Sequence, residues 1–175
     1  MFADAGYHGV SMEQLADAAG VSKPVLYQHF PSKRDLYLAL VRDAVSEMET
    51  RVRAALKGTT DNRARVEGAT AAYFSFVEDP RFQLVFSAER SDDEVHDEVN
   101  AAWRRVTEIV AELICEDAGL DRPSARLLAA ALRGMAADGA RWWSAHHHEV
   151  SRDEAVHLAA QLAWRGLGSF GPRPD

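Results

Sequence analysis

Apolar positions in this chain recur at three- and four-residue spacing almost from end to end, so the pattern predicts helices and no strands. Ser11 stands as an N-cap for a helix over 12–19, which Gly20 ends because glycine readily takes the left-handed conformation. Ser22 caps a second, very short helix with Pro24 in its first turn, where no amide hydrogen is required, and Pro31 closes it. Ser32 then caps a long helix to about Leu56. "KGTTDN" breaks the pattern, and Asp61 or Asn62 starts a helix that ends near Glu78, stopped by Asp79 and Pro80. After a short segment over 81–89 comes a long amphipathic helix over 92–117, with Val95, Val99, Trp103, Val106, Val110 and Leu113 on one side. "AGLDRPS" interrupts it, and Pro123 opens a helix to about Ala145. "HHHEVS" leads to a last helix over 151–167 and a tail, "GSFGPRPD", expected to fray. The expected fold class is all-α, with no internal repeat and no low-complexity linker.

The first two complete helices are unusually short, and a turn containing Gly20 joins them into a helix-turn-helix. Leu15 and Ala16 face inward, and the small Ala16 allows a close crossing; Val21, Leu26 and Phe30 are spaced to bury one side of the second helix. Ser22, Lys23, Pro24, Val25, Tyr27, Gln28 and His29 are left pointing outward. That composition suits a major groove better than a core. Lys23 and His29 suit phosphates or guanine acceptors, Gln28 an adenine edge and Val25 a thymine methyl. Tyr27 offers a hydroxyl to phosphate, and Lys33 adds an ammonium beside the amides of a helix N-terminus. The plainer alternative is a helical hairpin with a solvated polar face.

Charge tests this reading. The 175 residues carry a formal net charge of −7, so a nucleic-acid surface here must be a local patch. Up to Val45 there are four Lys or Arg against five Asp or Glu, and beyond it sixteen against twenty-two. Neither part is basic overall, but Lys23, His29, Lys33 and Arg34 fall within a dozen residues of one another.

The run "GYHGVSMEQLADAAGVSKPVLYQHFPSKRDLYLAL", Gly6 to Leu40, resembles the DNA-binding head of the TetR (tetracycline repressor) family of bacterial regulators. Its "GVSKPVLYQHFPSK" holds the family's Gly-Val-Ser, Leu-Tyr-x-His-Phe and closing Lys in register. The resemblance implies a helix-turn-helix DNA-binding domain over 1–45 and a ligand-binding and dimerisation domain over 46–175. It implies a homodimeric transcription factor, usually a repressor, released from a near-palindromic operator on double-stranded DNA by a small-molecule effector. By position, Lys23, Pro24, Val25, Tyr27, Gln28, His29 and Lys33 match family DNA contacts, and Ser11 matches an N-cap close to the phosphate backbone. Only Met1 to Ala5 stand where the family's first helix runs a further turn or more, so that helix is expected to be truncated. A ligand-binding dimer with an impaired head is the alternative.

In the remainder, Tyr73, Phe74, Phe76, Phe82, Phe86, Trp103, Trp142 and Trp143 recur at helical spacing. They either fill a core or line a cavity for an apolar or aromatic ligand. The expected wall is Tyr73, Phe76, Phe86, Trp103 and Trp142, with Arg104, Asp138 and Arg141 as polar candidates. "AAALRGMAADGA" and "HLAAQLAWRGLG" place small residues at close spacing among leucines, a pattern for close helix packing and, by the resemblance, for a two-fold dimer.

Other classes find little support. Cys115 is the single cysteine, which rules out an intramolecular disulfide and fits a reducing cytoplasm. No apolar run approaches a membrane span of ~20 residues, and no signal peptide is evident, so a cytoplasmic location is expected. No phosphate loop, nucleophile elbow or H-E-x-x-H pair points to an enzyme or a cofactor. "HHHE", His146 to Glu149, reads as a solvated loop in preference to a metal site, because adjacent histidines at a helix end cannot all face one ion.

Overall fold

Eight helices account for about four fifths of the described chain in the computed structural model, which describes residues 1–79, 81 and 93–167. They are α1 (Phe2–Ala5), α2 (Met12–Ala18), α3 (Lys23–His29), α4 (Lys33–Lys57), α5 (Asn62–Val77), α6 (Asp93–Ala118), α7 (Arg122–His146) and α8 (Arg152–Leu167). No strand occurs among the described residues, and the fold is all-α as expected. Pro80, Phe82, Phe86, the side chain of Val95 and the tail over 168–175 lie outside the described residues.

The chain divides into two compact units, one within 1–47 and 79–101, the other within 48–78 and 102–175. Helices α4 and α6 each contribute to both. Asp79, Arg81 and 93–101 thus group with the first unit, where the sequence suggested a head of 1–45 alone. Arg81 shows how: its guanidinium donates to both carboxylate oxygens of Asp79, at 2.6–3.1 Å, and to Asp43 Oδ2 on α4 at 3.0 Å.

The first unit has a small core of Phe2, Val10, Met12, Ala16, Leu26, Tyr37, Leu38 and Val41. Phe2, Tyr7 and Tyr37 form an aromatic triangle with ring centroids 5.1–6.2 Å apart. Local chemistry sets the helix ends. Ser11 and Gln14 form a reciprocal capping box, Ser11 N donating to Gln14 Oε1 at 2.8 Å and Gln14 N to Ser11 Oγ at 3.2 Å. Gly20 takes a left-handed φ of 67°, and the Gly20 and Val21 amides bond back to Asp17 O and Ala16 O, a Schellman closure of α2.

In the second unit α5 packs against α7 and α8, which also pack on each other. Its core is aromatic at one end and small at the other. Phe74 lies 5.7 Å from the Trp143 ring, while Ala111, Ile114, Ala125 and Ala129 bring α6 and α7 together with Cys115 packed alongside. Asp61 and Asp121 cap α5 and α7 by accepting the Ala64 and Ser124 amides. Arg105 of α6 reaches Glu49 of α4 at 2.6 Å, and Glu108 accepts from Arg122 and Arg126 of α7. Burial needs small residues where helices cross, and α7 supplies alanine at 125, 129, 136, 137 and 140.

Candidate DNA-reading helix and ligand cavity

Helix α3 has seven residues and buries one of them, Leu26. Lys23, Pro24, Val25, Tyr27, Gln28 and His29 are all exposed, as is Ser22 before them, and Tyr27 is 42% exposed. A helix this short is marginal by itself. It is held by Leu26, by Pro24 at its start and by the turn from α2, while its remaining face offers donors, acceptors and an apolar contact. Ser22 is the N-cap residue, but its hydroxyl makes no capping bond, so that side chain is available outward. Val21, expected inside, is 37% exposed. Lys23 sits 3.7 Å from Glu13, both side chains well exposed, an arrangement worth little.

Lys33 differs from the rest of the expected surface. Its ammonium turns inward, donating to Tyr7 O at 2.8 Å and Val10 O at 2.9 Å, and lies 4.5 Å over the Tyr7 ring. The loop between α1 and α2 leaves carbonyls that no helix satisfies, and Lys33 answers two of them. Gly9 keeps that loop tight, since a Cβ there would run into the Ala5 carbonyl oxygen. We expect Lys33→Met to lower stability by about 2 kcal/mol through two lost charge-assisted bonds, read as a fall in thermal midpoint. A melt matching the parent's would rule out this role for the ammonium.

In the second unit α4 to α8 enclose a cavity of about 270 Å³. Its wall is mostly aliphatic, with Val52 and Leu56 from α4, Val106 and Val110 from α6, Leu128 and Leu132 from α7, and Trp164 from α8. Of the expected wall, Tyr73 lines it. Trp103 stands behind, stacked on the Tyr73 ring with centroids 6.1 Å apart. Phe76 is fully buried and not part of the wall, and Phe86 lies outside the described residues. Trp142 is a correction: it is 52% exposed, its ring stacked 4.2 Å from that of His146, because its neighbour Trp143 occupies the inward direction and donates to Val150 O.

The polar groups also differ from expectation. Arg104 is exposed, and Asp138 and Arg141 pair with each other on the surface of α7. The cavity instead receives Asn62, Arg65, Asp117 and Arg133. Arg133 was missed by sequence reasoning, although a lone arginine inside "AAALRGMAADGA" was the available signal. At the α7–α8 corner, His146 and His147 donate to the Trp142 and Ser144 carbonyls, and His148 lies beside Glu149. Among the described residues no helix is long and apolar enough to cross a membrane.

An exposed polar face on the second helix of a helix-turn-helix, together with an all-helical body containing an apolar cavity, is the arrangement of a DNA-binding transcriptional regulator. Comparison with known proteins agrees. The family described as "Bacterial regulatory proteins, tetR family" matches residues 1–40. The HTH-type transcriptional activator FasR of Mycolicibacterium smegmatis is 41% identical over 170 residues, covering 95% of this chain and 78% of that protein. Among solved structures, a TetR-like transcriptional regulator from Rhodococcus sp. RHA1 superposes with TM-score 0.75 at 26% identity, covering 95% of this chain and 89% of the other. FadR from Bacillus subtilis, solved in complex with stearoyl-CoA, gives TM-score 0.75 at 19% identity over 93% of this chain and 91% of its own. The chain belongs to the TetR family of bacterial transcriptional regulators.

Proposed function

We propose that this protein is a cytoplasmic homodimer whose α3 helices read a near-palindromic operator and whose cavity takes an apolar small molecule that lowers operator affinity. The observation that carries this reading is the aliphatic cavity in the second unit, which has the composition of a ligand site. A long acyl chain is the favoured occupant: the cavity is lined by branched aliphatic side chains, and the fold neighbour FadR was solved with stearoyl-CoA. Residues 1–45 serve DNA binding and 46–175 ligand binding and dimerisation. Leu127, Trp142, Leu158 and Leu162 are exposed apolar side chains on α7 and α8, and they support a two-fold interface there.

On this reading Tyr27, Gln28, Val25, Lys23 and His29 meet base edges and phosphates, with Ser11, Ser22 and Pro24 at the margin. Two such helices in a dimer address half-sites ~10 base pairs apart or a multiple of a turn. Because α4 contributes to both units, a ligand-induced tilt of it is the proposed route between them. The ligand must favour the non-DNA geometry by roughly 1–3 kcal/mol of coupling. Whether release lowers or raises transcription depends on where the operator lies relative to the promoter; the relative FasR is named an activator.

The test is fluorescence anisotropy against DNA from upstream of its own gene, with scrambled DNA as control. The expected result is tight binding to the upstream fragment alone. Affinity should fall with salt at a log–log slope of ~0.9 per phosphate contact, and a long-chain acyl-CoA should release the DNA. Equal, weak binding to both fragments would overturn the reading.

A further inference from the structure

The cavity wall contains polar groups of two kinds. Those near the α4–α5 corner are answered from within the protein. Arg65 Nε donates to Leu56 O and Thr59 O, its terminal nitrogen to Asn62 Oδ1 at 2.8 Å, and the same nitrogen lies 3.5 Å from Asp117. Thr70 Oγ1 donates back to Val66 O at 2.8 Å. The Tyr73 hydroxyl and Arg133 Nε are different: both are buried, and neither has a hydrogen-bond partner among the described residues. Tyr73 as a whole is 6% exposed.

These two groups belong together. Both residues line the cavity, and both pack on one ring, Trp103. Tyr73 stacks on it at 6.1 Å and the Arg133 guanidinium lies 5.1 Å from its centroid. Burial pushes the Tyr73 hydroxyl well above the usual phenol range, and the Arg133 charge only partly offsets this, so the hydroxyl keeps its proton at neutral pH. Buried donors left unanswered are costly, and folded proteins rarely keep them without a use. A protonated phenol has a hydrogen to give, and a guanidinium only donates. Their complement is therefore an oxygen acceptor, carried by a molecule otherwise apolar enough for the remaining wall.

We propose that Tyr73 and Arg133 form an anchoring pair for the carbonyl or carboxylate oxygen of a carboxyl-derived amphiphile, with Trp103 holding both side chains in place. This rests on the cavity reading above and deepens it: the pair selects for the oxygen, the aliphatic wall for the chain. Arg133 adds charge, so a free carboxylate is held more tightly than a neutral ester.

The test uses the full chain and three probes. N-phenyl-1-naphthylamine, which is apolar and has no carbonyl, is titrated directly by its fluorescence. Dodecanoic acid and its methyl ester are then measured by displacing it. Tyr73→Phe should weaken the acid and the ester about tenfold while leaving naphthylamine binding within twofold. Arg133→Met should weaken the acid more than the ester. The thermal midpoint of ligand-free Tyr73→Phe should be no lower than the parent's, because the deleted hydroxyl has no hydrogen-bond partner among the described residues. Undiminished acid and ester binding by Tyr73→Phe, or an equal loss of all three probes, would overturn the anchoring pair and leave the cavity reading standing. A parent chain that binds none of the probes would overturn both.

Discussion

Replacing Tyr27 and Gln28 together by alanine is expected to weaken operator binding at least a hundredfold while moving the thermal midpoint by no more than about a degree. The two halves of this expectation have separate causes. Both side chains are exposed on α3, so neither contributes to the core of the first unit. Alanine is also a better helix former than tyrosine or glutamine, so the helix itself does not suffer. Against DNA, a good side-chain-to-base pair is worth about 1–3 kcal/mol, and loss of the tyrosine phosphate contact adds to it. Together these exceed the ~2.7 kcal/mol that a factor of one hundred represents. Anisotropy and a thermal melt on the same preparation decide the matter. Affinity within threefold of the parent would mean that α3 does not read the DNA.

Phe74→Ala should act in the opposite way, on stability first. Phe74 is 2% exposed, lies against Trp143, and its ring tip stands 3.9 Å from where a Cβ on Gly139 would be. At that distance a methyl would only touch the ring, so the glycine is a neighbour and not a requirement, and α7 has no side chain there to fill the space once the ring is gone. Phenylalanine-to-alanine changes in such positions cost about 3–5 kcal/mol, a large part of the ~5–15 kcal/mol that holds a domain together. For a chain of this size that is a fall of about 10 °C in thermal midpoint. Phe74→Leu, which keeps most of the volume, should lose much less and retain the cavity, which Phe74 does not line. A loss below about 1 kcal/mol for Phe74→Ala, measured by urea denaturation, would show that the α5–α7 contact is not packed as described.

The helices and their ends were legible because capping is local chemistry. Ser11, Asp61 and Asp121 each accept an amide three residues on, and Gly20 has the positive φ that its place after α2 required. The outward face of α3 was legible for a similar reason: with polar residues around Leu26, little else could be buried. What the sequence hid was non-local. Lys33 looked like a phosphate ligand, yet its partners Tyr7 O and Val10 O are 26 and 23 residues away, joined to it by the fold alone. Trp142 and Trp143 are adjacent, and helical spacing cannot say which of two neighbours points inward until α8 and Val150 are in place. Arg133 was lost in a run of small residues whose packing, to a reader of spacing, spoke only of close helices.

The single anchor of α3 has a consequence on a longer timescale. With Leu26 as its one buried side chain and Pro24 setting its start, this helix can change its other five residues with little effect on whether the protein folds. Gene duplicates of such a regulator are therefore free to explore new operator sequences by single substitutions, each judged on the DNA it recognises and not on the survival of the fold. A lineage built on this head diversifies its targets quickly while the helices beneath stay the same.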